Sequence, residues 1–203
     1  MDSLNMTTST SKGGIDRRKF VAELLKQFPD ALVVTGLGSP SYDVFAAGDR
    51  PSNFYLWGAM GGSTSLALGL AIAQPEKTVI AITGDGEQLM GIGSLATAAA
   101  QQQKNLNIVI LDNGHFGETG MQQSHTSLGT NLAQVAKAVG VPTTLEISDI
   151  SELEKLTHEI KKGDGMTVTQ VYISTEEPQR ALPPRDGVFV KNRFRQHLGF
   201  EPF

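Results

Sequence analysis

Two runs of consecutive aliphatic residues constrain the fold of this chain more than any other feature of its sequence. Residues 78–83 read TVIAIT and residues 106–111 read LNIVIL, and a segment long enough for one helix lies between them. Strands that are apolar at every position need cover on both faces, which is typical of parallel sheets connected by helices. The sequence therefore predicts an α/β fold with helices on both faces of a parallel sheet.

Strand and helix patterns alternate along most of the remaining chain. The hydrophobic spacing predicts helices at 16–27, 60–74, 87–103, 132–139 and 151–162, and further strands at 31–34, 54–57, 143–147 and 167–173. These elements predict a single doubly wound parallel sheet of about six strands. We place this domain at residues 15–175, between a flexible N-terminal lead-in at 1–14 and a C-terminal tail with a short helix at 176–203.

Three local features refine the boundaries of these helices. Ser39, with Pro40 after it, predicts the N-cap of a short helix. Ser151 and Glu154 have the spacing of a capping box at the start of a later helix. The helix at 60–74 is apolar nearly all round, so we expect it to be buried on most sides.

Composition excludes several classes of function. The chain has a net charge of -4 and no basic cluster, so it lacks the electrostatic footprint of a nucleic-acid-binding protein. It contains no cysteine, which excludes disulfides, thiolate zinc sites and cysteine-held iron–sulfur clusters. Its most apolar stretch, 66–73, is far shorter than the ~20 residues of a membrane span, and the polar N-terminus lacks a signal-peptide core. We therefore expect a cytoplasmic protein without a membrane or nucleic-acid partner.

Two oxygen-bearing side chains follow the two aliphatic strands. Asp85 follows the first strand in the turn GDG, and Asn113 follows the second in the turn LDNG. In a parallel sheet both turns lie at the carboxyl edge, so the two side chains can face one point and bind a hard cation such as Mg²⁺. Gly86 would let the next helix N-terminus approach phosphate groups. The alternative is a plain strand-to-helix turn in which Asp85 only caps the helix.

The segment between these two turns resembles the thiamine-diphosphate motif. It reads GDGEQLMGIGSLATAAAQQQKNLNIVILDN, and Asp112 replaces the first residue of the usual closing Asn pair, whereas the second, Asn113, is intact. The wider string FYLWGAMGGSTSLALGLAIAQPEKTVIAITGDG, with DNGHFGETGMQ further on, is similar to phosphonopyruvate and sulfopyruvate decarboxylases. The similarity extends over roughly residues 30–145. It implies a thiamine-diphosphate-binding fold.

The resemblance implies a site for thiamine diphosphate and Mg²⁺ in this chain. Asp85 and Asn113 would bind the metal through their side chains, and His115 through its backbone carbonyl. Met60 would support the bent cofactor conformation that brings its amino group beside the reactive carbon, although gap-filling in the core is the alternative for this residue. The implied cofactor contacts are Gly38, Ser39, Met60, Gly84, Asp85, Gly86, Glu87, Asn113, His115, Phe116 and Gly117.

Glu87 departs from the expected pattern, because a carboxylate directly after the Gly-Asp-Gly turn would lie close to an anionic diphosphate. We expect its side chain to turn outward. An outward orientation is easy at a helix N-terminus, where a carboxylate is also favoured. Diphosphate binding would then depend on backbone N–H groups.

One module of a thiamine-diphosphate enzyme is not recognisable in this sequence. Family members need a pyrimidine-binding domain whose glutamate protonates the cofactor ring, so the resemblance implies a partner subunit that supplies it in a hetero-oligomer. In this chain the loop after Asn113 should face the reacting carbon, with Glu118 and His125 as candidate catalytic residues and Thr119 and Gln122 as further candidates. The alternative for Glu118 and His125 is a solvated loop residue.

The leading hypothesis is a decarboxylase that acts on a small 2-oxo acid similar to phosphonopyruvate or sulfopyruvate and is active only with its partner. Two alternatives stay open: carboligation, as in acetolactate synthases, and a regulatory module that binds the cofactor without catalysis. An iron–sulfur oxidoreductase is disfavoured because no cysteine is present. A nicotinamide site is disfavoured because GLGSPS at 36–41 lacks the last glycine of the dinucleotide fingerprint.

Overall fold

A parallel sheet of six strands forms the centre of the molecule within residues 14–201, the range that the computed structural model describes. Residues 1–13, most of the predicted lead-in, lie outside this range. The strands along the chain are β1 (Leu32–Thr35), β2 (Asn53–Tyr55), β3 (Val79–Gly84), β4 (Leu106–Asp112), β5 (His115–Phe116), β6 (Gln122–Gln123), β7 (Thr143–Ile147) and β8 (Thr167–Tyr172).

The main sheet has the order β2-β1-β3-β4-β8-β7, and every neighbouring pair in it is parallel. β5 and β6 pair separately as a short antiparallel hairpin. All strands of the main sheet therefore end at one carboxyl edge, where ligands bind in folds of this kind. The predicted fold class, a single doubly wound parallel sheet of about six strands, is confirmed.

Helices lie on both faces of this sheet. They are α1 (Arg17–Gln27), α2 (Ser39–Ala46), α3 (Ser63–Ala73), α4 (Asp85–Met90), α5 (Gly93–Gln101), α6 (Leu132–Ala138), α7 (Leu153–Lys162) and α8 (Gly187–His197). α1, α2 and α7 pack apolar side chains into one buried core, and α3, α5, α6 and α8 pack into another. Within residues 14–201 no helix is both long enough and apolar enough to cross a membrane.

The two cores lie on opposite faces of the sheet because consecutive strand residues point to opposite sides. In β3, Ile80 and Ile82 belong to the core beneath α1 and α7, whereas Val79 and Ala81 belong to the core beneath α3 and α5. Both faces of β3 are buried, so most positions along it are apolar. This explains why unbroken aliphatic runs, and not alternating ones, predicted these strands.

The start of α2 differs from the prediction by one residue. Its N-cap is Gly38, with a φ of 78°, and Ser39 is the first residue of the helix. Glycine adopts this left-handed backbone without the penalty that a Cβ atom brings. Ser39 is thus not the capping residue, and Pro40 is the second residue of the helix, where its missing N–H is still tolerated.

The capping box before α7 is also shifted. Ser151 and Glu154 fit the sequence pattern, but the box forms two residues earlier, between Asp149 and Glu152. The Asp149 carboxylate accepts a hydrogen bond from the Ser151 N–H at 2.9 Å, and Glu152 accepts one from the Asp149 N–H at 3.2 Å. A 3₁₀ turn at Ile150–Glu152 therefore precedes the α-helix.

The helix predicted at 87–103 is wrong as a single element, because the structure has two helices there. α4 and α5 are separated by a turn at Gly91 and Ile92. Gly91 lies against the loop before α3, and a Cβ atom added to it would be 2.2 Å from the Gly61 carbonyl oxygen. This backbone contact ends α4. Hydrophobic periodicity contains no information about such a contact, so it predicted one continuous helix.

α3 is buried on one face only, in contrast to the prediction. Its buried residues are Ser63, Thr64, Ala67, Leu68 and Ala71. Ser65, Gly69 and Ile72 are exposed, and Ile72 has 49% of its surface accessible. The sheet covers one side of this helix, and its other side exposes apolar surface that includes Ile72.

The C-terminal segment packs against the rest of the domain. Phe194 of α8 is buried and makes an edge-to-face contact with Phe54, with ring centroids 5.5 Å apart. Before α8, the Pro184 carbonyl accepts a hydrogen bond of 2.8 Å from the indole N–H of Trp57. The segment around Pro184 therefore runs close to the loop that follows β2.

Candidate functional site

A cavity of about 170 Å³ opens at the carboxyl edge of the sheet. Its walls come from the loops after β1, β3 and β4 and from the loop before α3. It is lined by most of the predicted site residues, namely Ser39, Met60, Gly84, Asp85, Gly86, Glu87, Asn113, His115, Phe116, Gly117 and Glu118. Gly38 borders it through a contact with the Glu118 side chain. His125 lies outside it.

Asp85, the first residue of α4, is a buried carboxylate in this cavity. Its Oδ2 accepts a hydrogen bond from the Ser124 hydroxyl, and the Thr126 hydroxyl lies 3.2 Å away. No basic side chain forms an ion pair with it within residues 14–201. Burial, and then the nearby Asp112 carboxylate, raise the pKa of Asp85. A bound cation would stabilise the ionised form.

Asp112 is a second buried carboxylate, at the end of β4. Its Oδ1 accepts a hydrogen bond from the Thr126 hydroxyl at 2.7 Å, and its Oδ2 accepts one from the Gln170 amide at 2.6 Å. Because each hydroxyl has one proton, Ser124 donates to Asp85 while Thr126 donates to Asp112. Neutral donors thus hold both carboxylates, and the negative charge at this point is not compensated by them.

Asn113 and His115 lie in the turn that follows β4. The side-chain oxygen of Asn113 accepts a hydrogen bond from the His115 N–H at 3.0 Å, and His115 Nδ1 lies 2.8 Å from the Asn113 carbonyl oxygen. Both residues also line a wider neighbouring cavity of about 570 Å³, so this turn forms the wall between the two cavities. An amide oxygen has a second lone pair, which leaves Asn113 able to ligate a metal.

The loop from β1 into α2 forms another wall. The Ser41 hydroxyl donates to the Gly36 carbonyl at 2.7 Å and lies 2.6 Å from the Thr35 hydroxyl, which fixes the turn. Ser39 and Pro40, in the first turn of α2, line the cavity. The unpaired N–H groups of a helix N-terminus favour anionic groups at this position.

Gly86 is packed against an aromatic ring. A Cβ atom added to it would be 2.5 Å from Cδ1 of Phe116, so any side chain here would displace that ring. The predicted role of Gly86 is to admit phosphate groups to the helix backbone. In the structure the glycine makes room for Phe116, and this contact seats the β5-β6 hairpin on the start of α4.

Glu87 turns inward, and the expected outward orientation is wrong. Only 3% of its surface is exposed. Its carboxylate accepts hydrogen bonds from the backbone N–H groups of Leu37, at 2.9 Å, and Ser63, at 3.4 Å. Burial raises the pKa of this carboxyl group. Glu87 therefore lines the cavity with its carboxylate directed at protein backbone.

Met60 and Arg17 contribute further walls. Met60 is exposed and lies in the loop before α3, so it is available to a ligand and is not gap-filling in the core. Arg17 is a cavity residue that the sequence analysis did not predict. It is buried, and its Nε lies 3.3 Å from Oδ2 of Asp43. Its position at the start of α1 gave no pattern that links it to a site on other loops.

The candidate catalytic residues lie at the rim or beyond it. Glu118 is paired with Arg180, with 3.4 Å between Oε2 and Nη2, and 40% of its side chain is exposed, so it lacks the burial that its predicted proton-handling role requires. His125 is exposed on the loop after β6. Thr119 lines the cavity and donates to the exposed Gln122 at 2.8 Å.

Ser124 and Thr126 are functional candidates that the sequence analysis missed. They flank His125, which was chosen instead because it is titratable. Two hydroxyl residues separated by one position, in a loop that follows the second aliphatic strand, are the pattern that could have identified them. A buried carboxylate without a basic partner needs neutral donors, and hydroxyl groups supply them.

The residues present fit a divalent cation and a diphosphate group. Carboxylate, amide and backbone carbonyl oxygens are the donors that Mg²⁺ prefers, and Mg²⁺ usually takes only one or two protein carboxylates. Within residues 14–201 no three Asp, Glu or His side chains converge on one point. A metal here would therefore need further oxygen ligands from the cofactor phosphates or water.

A parallel sheet with an oxygen-lined cavity at its carboxyl edge defines the class of doubly wound, cofactor-binding α/β domains. A family model described as the thiamine pyrophosphate enzyme, C-terminal TPP binding domain, matches residues 41–171. The chain belongs to the thiamine pyrophosphate enzymes and contains their C-terminal TPP-binding domain.

Known proteins similar to this chain include two methanogen decarboxylases. It is 42% identical over 173 residues to sulfopyruvate decarboxylase subunit beta of Methanocaldococcus jannaschii, over 82% of this chain and 88% of that protein. It is 31% identical over 202 residues to sulfopyruvate decarboxylase of Methanosarcina acetivorans, over 98% of this chain and 51% of that protein.

Solved structures support the fold. The thiamine diphosphate-dependent 4-hydroxybenzoylformate decarboxylase of Rhodococcus jostii matches with a TM-score of 0.69 and 23% identity. The match includes 88% of this chain and 36% of the solved chain. The chain thus spans about a third of that larger enzyme.

Proposed function

We propose that this chain is the diphosphate- and Mg²⁺-binding subunit of a two-subunit thiamine-diphosphate-dependent decarboxylase. Its substrate is a small 2-oxo acid of the sulfopyruvate or phosphonopyruvate kind. The cavity at the carboxyl edge carries this proposal, because Asp85, Asn113 and Met60 meet there within a domain of this family. The names of the methanogen relatives support the substrate class.

Thiamine diphosphate, when bound, supplies a carbon nucleophile and an electron sink that allow a 2-oxo acid to lose carbon dioxide. In this chain Asp85, Asn113 and the backbone carbonyl of His115 would hold Mg²⁺. The N-terminal turn of α2, with Gly38 and Ser39, would donate N–H groups to the diphosphate. A metal is needed here because the buried carboxylates alone would repel a diphosphate.

Other cavity residues have roles in position and proton transfer. Met60 reaches the cavity from the loop before α3 and would support the cofactor rings. Proton transfer by Glu118 stays a prediction, since its carboxylate is paired with Arg180 at the rim. The predicted role of His125 has no support from its exposed position outside the cavity.

The partner subunit, which would supply the pyrimidine-binding module, docks on the apolar rim of this cavity in our proposal. Met60, Met90 and Ile92 are exposed, and Met90 has 66% of its surface accessible. Met90 and the turn at Gly91 contact Gly61, so these side chains lie close together. Exposed apolar residues that continue a binding cavity are typical of an interface. The Methanosarcina relative has about half of its length outside the match, enough for a second module.

Carbon dioxide release tests the function. The chain would be co-expressed with its partner subunit. The purified complex would then be incubated with Mg²⁺, thiamine diphosphate and a panel of 2-oxo acids. We expect turnover to be highest with acids that have a sulfonate or phosphonate on the third carbon. Asp85→Ala should reduce turnover by at least about 100-fold, because loss of a direct metal ligand exceeds the usual effect of losing its supporting residues.

The control for this experiment is Asp164→Ala, since Asp164 is exposed and forms a surface ion pair with Lys162. It should keep normal turnover. The proposal fails if no acid releases carbon dioxide or if Asp85→Ala is fully active. A condensation product that contains two substrate units would identify a carboligase instead.

The apolar rim can be tested by introducing a charge. Met90→Asp should weaken co-purification with the partner subunit by roughly tenfold or more, because a carboxylate would be buried in the interface without a counter-charge. Val139→Asp is the matched control, since Val139 is an exposed apolar residue between α6 and the start of β7, at the opposite edge of the sheet. Equal co-purification of both variants would contradict docking at this rim.

A further inference from the structure

The buried carboxylate of Glu87 connects three separate segments of the cavity wall. Glu87 belongs to α4, which begins with Asp85. Its carboxylate binds the Leu37 N–H at 2.9 Å, in the loop before α2, and the Ser63 N–H at 3.4 Å, at the start of α3. Leu37 lies in the same loop as Gly38, and the start of α3 at Ser63 follows the loop that contains Met60. One side chain therefore links the parts of the chain that surround the cavity.

No Lys, Arg or His side chain forms an ion pair with Glu87 within residues 14–201. Desolvation of a carboxylate without a counter-charge is unfavourable. The backbone N–H groups of Leu37 and Ser63 and the nearby hydroxyl groups of Ser63 and Thr83 offset part of this cost. A leucine or methionine at this position would avoid the penalty but would leave two buried donors unpaired. The presence of a glutamate at this buried position is thus explained by the Leu37 and Ser63 N–H groups, which donate to it.

Gly36 shows how closely the loop before α2 is fitted to this carboxylate. A Cβ atom added to Gly36 would be 1.6 Å from Oε2 of Glu87, and the three atoms nearest to it all belong to Glu87. Gly36 does not have a positive φ, so its backbone does not require glycine. Glycine is needed at this position because the Glu87 carboxylate fills the space that a side chain would take.

We propose that Glu87 is a positioning residue of the cofactor site, a role that rests on the proposed function of the chain. Its carboxylate fixes the loop before α2 and the start of α3 relative to Asp85. The diphosphate donors near Gly38 and the ring support at Met60 are thereby held at the spacing that thiamine diphosphate requires. Glu87 does this through protein backbone, without contact with the cofactor.

Calorimetric titration with thiamine diphosphate and Mg²⁺ tests this role in the chain together with its partner subunit. Glu87→Ala should raise the Kd for the cofactor by roughly tenfold, the effect expected when a charge-assisted hydrogen bond is lost. Glu87→Gln should have a smaller effect, because its amide oxygen still accepts one N–H. At saturating cofactor, kcat/KM for the 2-oxo acid should change less than the Kd for the cofactor does, because Glu87 does not contact the substrate in this role.

Gly36→Ala provides an independent test that does not alter Glu87 itself. The added methyl group should displace the carboxylate and raise the Kd for the cofactor about as much as Glu87→Ala does. In the double variant Gly36→Ala/Glu87→Ala the methyl group meets no carboxylate, so the two effects should not add. Gly187→Ala and Glu76→Ala are the controls. A Cβ atom added to Gly187 would have no non-neighbouring atom of residues 14–201 within 4 Å, and Glu76 is exposed.

Three outcomes would overturn the role of Glu87. The first is an unchanged cofactor affinity in Glu87→Ala. The second is a higher affinity in that variant, which would mean that the carboxylate repels the diphosphate. The third is that the effects of Gly36→Ala and Glu87→Ala on the Kd are additive. If Glu87→Ala does not fold, the Kd values of Glu87→Gln and Gly36→Ala decide the question. Both should be higher than the Kd of the unmodified chain, with the larger increase in Gly36→Ala, and unchanged values would overturn the role. Failure of the unmodified complex to bind thiamine diphosphate would instead contradict the proposed function.

Discussion

At the residue scale, the site combines two buried carboxylates with uncharged donors. Asp85 and Asp112 accept hydrogen bonds from Ser124, Thr126 and Gln170, and no ion pair involves either carboxylate within the described part of the chain. Hydroxyl and amide donors orient a carboxylate without neutralising it. The negative charge therefore stays available to a divalent cation, and the donors act as its supporting shell.

Ser124→Ala should weaken metal binding by about 10- to 100-fold, the range for residues that orient a metal ligand. The reason is that Asp85 loses the donor that fixes its Oδ2. Titration of Mn²⁺ in the presence of thiamine diphosphate, followed by electron paramagnetic resonance, measures the change. Ser127→Ala is the control, because the Ser127 hydroxyl donates to the Gly114 carbonyl and not to a carboxylate. Equal losses in both variants would indicate a general effect on the loop.

At the element scale, the break between α4 and α5 shapes the site. The turn between these helices touches the loop before α3 through Gly91 and Gly61, backbone against backbone. That loop contains Met60, and Gly61 has a φ of 87°, which favours glycine. A continuous helix would carry the chain past this contact, so the short α4 is part of what brings Met60 to the cavity.

Gly91→Ala should lower the free energy of unfolding by about 1–3 kcal/mol, because its methyl group would overlap the Gly61 carbonyl and the backbones would have to separate. Gly93→Ala is a matched control in the next helix, since a Cβ atom added there would have no non-neighbouring atom of the described residues within 4 Å. It should be neutral or slightly stabilising, because alanine favours helix. Urea unfolding of both variants measures the difference, and equal stability would show that the contact is loose.

β3 and β4 follow from the sequence because both faces of each strand are buried and their residues are therefore largely aliphatic. β8 is equally buried but contains Thr167, Thr169 and Gln170. The helix boundaries depend on contacts that a local pattern does not contain. Both Asp149 with Glu152 and Ser151 with Glu154 have capping-box spacing, and the local pattern does not rank them. The break between α4 and α5 at Gly91 depends on its contact with Gly61, which is distant along the chain.

The cavity was predictable to the extent that it depends on strand ends. Asp85 and Asn113 each follow an aliphatic strand directly, so parallel pairing alone brings them to one edge. The orientation of Glu87 was not predictable, because its carboxylate accepts from backbone N–H groups in the loop before α2 and at the start of α3. Arg17 reaches the cavity only through the packing of α1 against α2, which no spacing in the sequence indicates.

At the scale of the whole molecule, the chain buries uncompensated charge and exposes apolar surface at the same place. Asp85 and Glu87 are buried without basic partners in the described range, and the rim around Met60 and Met90 is apolar and exposed. Both features cost stability in the isolated chain. A cation and a partner subunit would relieve them, so we expect the two to stabilise the fold.

Without bound metal, the isolated chain should be more stable at about pH 5.5 than at about pH 8. Burial raises the pKa values of Asp85 and Glu87 in the folded state above those of the unfolded chain. The folded state therefore binds more protons, and stability falls as pH rises above the ordinary carboxyl range near pH 4. Thermal unfolding at both pH values, in buffers without divalent cations, measures the difference in Tm.

Asp85→Asn identifies the source of this pH dependence. It should reduce the difference in Tm between the two pH values, because the amide does not ionise. Asp164→Asn, at an exposed position paired with Lys162, should leave the difference unchanged. A difference in Tm that is the same in Asp85→Asn as in the unmodified chain would contradict the assignment.

The hydrogen bond between Trp57 and the Pro184 carbonyl gives the protein a built-in optical probe. Trp57 is the only tryptophan of the sequence, and its ring lies 6.5 Å from that of Tyr42, above which the Arg180 guanidinium sits at 5.6 Å. The fluorescence emission of this single indole should therefore change when the segment that carries Arg180 and Pro184 is displaced. The displacement could be followed at equilibrium and on the microsecond scale without an attached dye.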